Sequence, residues 1–149
     1  MATTKKTASK KPFRKPIPNP KKPKVKRAGA GGFNSDVIVD MLHMYDMPYA
    51  ALNPGASYRG LHDSIVNYGG NYPHMMLCTH EETAVQIAHG YARATNTPMV
   101  AIVHNLVGLL HSNMAIYYAY IDRAPIFIIG ATGPRSEERR VGKECRSRW

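Results

Sequence analysis

The segment Thr79-His80-Glu81-Glu82 opens the longest apolar helical pattern in the chain, "TAVQIAHGYARAT". A histidine and two carboxylates at a helix mouth are capable of proton transfer, metal ligation or plain helix capping. Capping explains part of it: Thr79 as N-cap with Glu82 three residues on has the spacing of a capping box, and the helix dipole favours acids in the first turn. That leaves Glu81 unaccounted for. A zinc protease signature is excluded, because HExxH would need a histidine at 84 and Ala84 stands there. Ala84, Val85, Ile87, Ala88, Tyr91 and Ala92 make the helix apolar nearly all round. Gly90 in its interior costs about 1 kcal/mol relative to alanine, a cost more readily understood if another backbone passes close by, as at a subunit contact.

The elements around this helix are legible from periodicity. Ser35 can cap a helix with apolar positions Val37, Ile38, Met41, Leu42 and Tyr45. "PYAALNPG" is a short strand ending in a Pro-Gly turn, and Leu61 to Tyr68 a helix stopped by Gly69-Gly70. "MMLC", "PMVAIVH" and "PIFIIG" are strands, and "LLHSNMAIYYAYI" is a helix. Strands without polar alternation, separated by helices, call for a parallel sheet covered on both faces. The expected fold is α/β with a doubly wound, mostly parallel sheet. In such sheets ligands collect at the strand carboxyl ends, here the turns "NPGAS", "THEE" and "HNLVG". His43 and His62 are expected on helix surfaces, His74 in a loop and His89 within a helix. Tyr117, Tyr118 and Tyr120 are expected in core and interface.

Charge divides the 149 residues into three parts. Residues 1–32 carry +11 and no acid, 33–134 carry −4, and 135–149 carry +3. The body therefore lacks the basic face of a nucleic-acid binder. The Lys/Pro-rich segment 1–32 cannot bury enough apolar surface to order itself and is expected to be a disordered tail. An alternative reading of the whole is a non-catalytic α/β binding module tethered to nucleic acid by that tail. "GAGAGG" is no dinucleotide loop, since Asn34 stands where a third glycine is required. Cys78 and Cys145 form no metal or disulfide pattern, and no apolar run is long enough to span a bilayer, so a soluble cytoplasmic protein is expected. The segment "RSEERRVGKECRSRW" back-translates to a string resembling a common sequencing adapter. It is expected to be a non-native tail after Pro134.

Together "NPGAS", "HEETAVQIAHGYARAT" and "DRAPIFIIGAT", in this order, resemble the thiamin-diphosphate enzymes of the acetolactate synthase, pyruvate decarboxylase and benzoylformate decarboxylase superfamily. The resemblance covers 33–134 and corresponds to most of an N-terminal pyrimidine-binding domain. It implies that Glu81 hydrogen-bonds N1′ of the aminopyrimidine and promotes the imino tautomer that activates thiazolium C2 for attack on a 2-oxo acid. A carboxyl with this task must share a proton rather than hold a full charge, which an apolar helix mouth favours. By the same resemblance Asn53, Pro54, Gly55, Ala56 and Gly108 face the cofactor, and Ser57, His80, His104, Asn105 and His111 are candidates on the substrate side. Ala56 stands where a decarboxylase relative has serine. "HNLVG" departs from the SGPG-like turn of acetolactate synthases, keeping only Gly108, which points away from acetolactate as the product.

The family holds Mg²⁺ and the diphosphate through a C-terminal domain marked by Gly-Asp-Gly, a triplet this chain lacks. Its active sites form between two subunits, so a homodimer or larger assembly through the pyrimidine domain is implied. The fragment by itself is expected to be inactive unless a separately encoded subunit supplies the diphosphate half. Further strands of the family's domain would follow Pro134, so an exposed edge strand prone to aggregation is also expected.

Overall fold

The structure is a computed structural model that describes residues 32–131 and Lys21. The rest of the basic tail, and the segment set apart after Pro134, lie outside the described residues. The order is α1 (Asn34–Met44), β1 (Tyr49–Leu52), a 3₁₀ turn (Ala56–Tyr58) leading into α2 (Arg59–Asn67), β2 (His74–Leu77) and α3 (Glu81–Thr95), then β3 (Met99–Val103), α4 (Leu106–His111), α5 (Asn113–Ile121) and β4 (Ile126–Gly130).

The four strands form one sheet in the order β2-β1-β3-β4, and every pairing is parallel. From β1 the chain moves outward to β2 and then crosses back to β3 on the other side. The switch point of the sheet therefore lies between β1 and β3, where a crevice opens at the strand carboxyl ends.

Both central strands are buried on two faces, which is why neither alternates in polarity. Ala50, Leu52, Val100 and Ile102 pack with Val39 and Leu42 of α1 and Leu61 and Ile65 of α2. On the opposite face Ala51, Met99, Ala101 and Val103 pack with Ala84, Val85 and Ala88 of α3 and Ala115 of α5. The expected α/β architecture is present, with helices on both sides. Among the described residues β4 pairs on one side only, and Phe127 on it is 43% exposed.

Several local expectations are corrected. The buried face of α1 consists of Asp36, Val39, Leu42 and His43. Val37, Ile38, Met41 and Tyr45 point outward instead. Sequence hydropathy missed this because two of the buried residues are polar and have hydrogen-bond partners, one nearby and one distant in the chain. Asp36 accepts a 2.9 Å hydrogen bond from the Phe33 amide, and His43 Nε2 lies 2.8 Å from the Tyr72 carbonyl. His43 is thus a core residue. Phe33, not Ser35, is the N-cap. The Ser35 hydroxyl instead meets Ser64 Oγ at 2.7 Å and ties α1 to α2.

The single helix expected over 109–121 is two helices, broken at Ser112, whose hydroxyl donates to the Leu109 carbonyl at 3.0 Å. His74 lies in β2 rather than a loop. Tyr117, Tyr118 and Tyr120 are at least half exposed and do not enter the core. Apart from its chain neighbours and its own helix backbone, no atom of the described residues lies within 4 Å of a Cβ built on Gly90, so that glycine is not explained by packing among them.

Candidate functional site

The crevice at the switch point is where the singled-out residues converge. Asn53 follows β1, His104 and Asn105 follow β3, and α3 and α4 bring in His80, Glu81 and His111. These six and Val107 line an open cleft of ≈ 420 Å³. An adjoining hollow of ≈ 230 Å³ is lined by Pro54, Gly55, Ala56, Tyr58, Arg59 and His62. Ser57 lines neither. Its hydroxyl is buried and has no hydrogen-bond partner among the described residues.

At the mouth of α3 the two acids have separate surroundings. Glu81 is 6% exposed. Its Oε2 lies 3.8 Å from His111 Nδ1. Glu82 is turned away from the cleft and accepts a 3.2 Å hydrogen bond from Gln86. The cap is not Thr79. His80 occupies the N-cap position, its Nδ1 taking a long 3.4 Å contact from the Glu82 amide. The helix therefore starts one residue later than the capping-box spacing indicates, which leaves Glu81 as its first residue, facing the crevice.

Two glycines make this arrangement possible. A Cβ on Gly108 would lie 3.0 Å from both Cγ and Oε1 of Glu81 and 2.9 Å from His104 Cβ. A Cβ on Gly55 would collide with the His104 ring. Both positions are required for close approach, not for an unusual φ. The His104 ring is held in turn by its neighbour, since Nδ1 lies 2.6 Å from Asn105 Oδ1 and 2.8 Å from the Asn105 amide nitrogen.

Tyr58 was not legible as a site residue. It is 6% exposed, and its hydroxyl makes no hydrogen bond of ordinary geometry to the described residues. Burial, reinforced by the negative charge of Glu81 and opposed weakly by the Gly55 backbone, pushes its pKa up to about 12. The phenol stays protonated beside the crevice. Its only signal in the sequence is its place directly after the "NPGAS" turn.

Residues 34–146 match the family profile described as thiamine pyrophosphate enzyme, N-terminal TPP binding domain. The chain belongs to the thiamine pyrophosphate enzymes. This TPP-enzyme domain is 30% identical over 95 residues to the acetolactate synthase large subunit of Haemophilus influenzae, covering 64% of this chain and 16% of that protein. It is 32% identical over 93 residues to the acetolactate synthase large subunit of Lactococcus lactis subsp. lactis, covering 62% and 15%. Its fold is similar to that of a putative thiamin diphosphate-dependent enzyme from Mycobacterium smegmatis, with a TM-score of 0.61 at 22% identity, over 68% of this chain and 19% of that one. It is also similar to benzoylformate decarboxylase from Polynucleobacter necessarius, with a TM-score of 0.58 at 20% identity over the same shares. The TPP-enzyme domain therefore spans about a sixth of the length of the curated relatives. Among its described residues no helix is long and apolar enough to cross a membrane.

Proposed function

We propose that the chain is the pyrimidine-side part of a thiamin-diphosphate lyase or carboligase acting on 2-oxo acids, with Glu81 as the carboxyl facing N1′ of the aminopyrimidine. The observation that carries this reading is the burial of Glu81 at a crevice formed by the carboxyl ends of the two central strands. When bound, thiamin diphosphate supplies the carbanion-stabilising ring that decarboxylation requires. The residues present suit its pyrimidine half. Gly55 and Gly108 leave backbone-lined space where a side chain would intrude. Glu81 offers a carboxyl that is shielded from water and able to accept or share a proton at that ring.

Asn53, Pro54, Gly55 and Ala56 form the wall beside it, and Gly108 seats Glu81 in place. His80, His104, Asn105 and His111 surround the space left for the 2-oxo acid; Ser57, the remaining candidate, lines neither cavity. Mg²⁺ does not suit this cleft, where three of the six polar side chains are imidazoles and a single carboxylate is present; a hard cation takes oxygen ligands. In this reading Mg²⁺ and the diphosphate are held through a C-terminal domain, and the chain by itself is inactive. A second copy completes the site. Leu106, Val107 and Leu110 on α4 and Met114, Tyr117 and Ile121 on α5 are all more than half exposed, an apolar surface suited to a subunit contact.

The test is Glu81→Gln in the complete enzyme, followed by exchange of the C2 proton of bound cofactor. Exchange falls to the level of free cofactor if Glu81 has this role. Undiminished exchange removes it.

A further inference from the structure

Three side chains of the cleft form a second kind of constellation. His80 at the mouth of α3, Glu81 beside it and His111 at the end of α4 each place one donor atom within 4.8 Å of the others. The carboxylate is buried, and the two imidazoles lie at the solvent side. Their rings are stacked, with centroids 4.8 Å apart and planes 15° from parallel. His111 Nδ1 is 3.8 Å from Glu81 Oε2.

We propose that His80, Glu81 and His111 form a binding site for a divalent transition ion of the zinc, cobalt or nickel class. This site goes beyond the functional reading above and is a property of the chain without bound cofactor, since a Glu81 carboxyl that holds an ion does not also serve the aminopyrimidine. The chemistry selects the ion. Two neutral imidazoles and one carboxylate suit borderline cations, and the same pairing of donors recurs in zinc and non-haem iron centres. A bound ion sits roughly 2.0–2.2 Å from each donor, which brings donors to about 3.0–3.5 Å from one another. The trio must therefore contract by an ångström or so. Glu81 is the fixed member, wedged against Gly108. The imidazoles are the adjustable ones, because the His111 side chain is 52% exposed and the ring of His80, among the described residues, has its stack on that exposed side chain and a long contact with the Glu82 amide. An ion lies in the plane of each ring that binds it, so the rings turn out of their stack as the site closes.

The experiment is a titration of the purified chain, carrying Cys145→Ser, with Co²⁺ in metal-free buffer, followed by visible ligand-field bands and calorimetry. The background substitution removes the thiol that lies outside the described residues; Cys78 is buried. One ion per chain with low-coordinate bands, displaced by Zn²⁺, is the expected result. His111→Ala and His80→Gln are expected to weaken binding by about tenfold or more, and His74→Ala on β2 to leave it unchanged. Far-ultraviolet circular dichroism of each variant separates loss of ligand from loss of fold. His111→Gln, equally placed on the surface, replaces any variant that does not fold. Absence of bands at millimolar Co²⁺, or binding of equal strength in the folded His111 variant, overturns the site.

Discussion

Glu81 Oε1 stands 3.0 Å from the point a Cβ on Gly108 would occupy. Helices α3 and α4 approach each other there because residue 108 has no side chain, and the buried carboxyl is wedged by that contact. Gly108→Ala is expected to lower stability by about 1–3 kcal/mol through overpacking. Gly90→Ala, on the same helix as Glu81 but with no other element of the described residues within 4 Å, should raise stability by roughly 0.5–1 kcal/mol through helix propensity. Urea unfolding of the two variants measures both. A neutral Gly108→Ala removes the wedge.

Tyr58 predicts an alkaline weakness. Its pKa is raised from the ordinary 10.0 to about 12 in the folded chain, so the stability it contributes is intact below about pH 10. Above that the unfolded state releases the proton while the folded state retains it, and stability falls as pH rises through about 12. Tyr72 is raised as well, by burial first and then by Asp46, and contributes in the same direction. Tyr58→Phe should therefore flatten part of the fall between pH 10 and 12 in urea midpoints. A slope as steep as that of the parent chain contradicts the assignment.

Cys78 is 8% exposed, and burial pushes its thiol pKa up against the weaker effect of the Leu52 backbone. Alkylation by iodoacetamide at pH 8, mapped by peptide mass, should be slow at Cys78 in the native chain and fast in urea. Equal rates in both conditions would place the thiol at the surface.

His43 is expected to be structural. Replacing it with leucine leaves the Tyr72 carbonyl without its 2.8 Å partner and removes the edge-on ring contact with Tyr72. The expected loss is about 1–3 kcal/mol, read as a lowered thermal midpoint. A change within a few tenths of a kcal/mol would return His43 to the surface class in which its sequence position suggests it belongs.

Much of the fold was legible because its signals are local. Unbroken apolar runs such as "MVAIV" require cover on both faces, and the turns between them contain glycine, asparagine and proline. The α/β class, the parallel sheet and the carboxylate at the start of α3 follow from that pattern. Other features depend on side-chain hydrogen bonds that hydropathy does not register, one of them, from His43 to Tyr72, between residues far apart in the chain. Which face of α1 is buried was decided by two satisfied polar groups, Asp36 and His43, which hydropathy ranks as solvent-facing. The break at Ser112 arises from a hydroxyl turning back on the Leu109 carbonyl, invisible to periodicity.

The amino-acid sequence by itself determined that an acid would head an apolar helix beside the switch point of a parallel sheet. The capping pattern and the resemblance already set Glu81 apart from Glu82; only the tertiary structure decided that Gly108 lies beneath Glu81 and that His111 stands beside it. The physical reason is separation along the chain. Spacing reports on neighbours within one element, whereas burial and close approach depend on α4 packing against α3, which the packing of the whole sheet brings about.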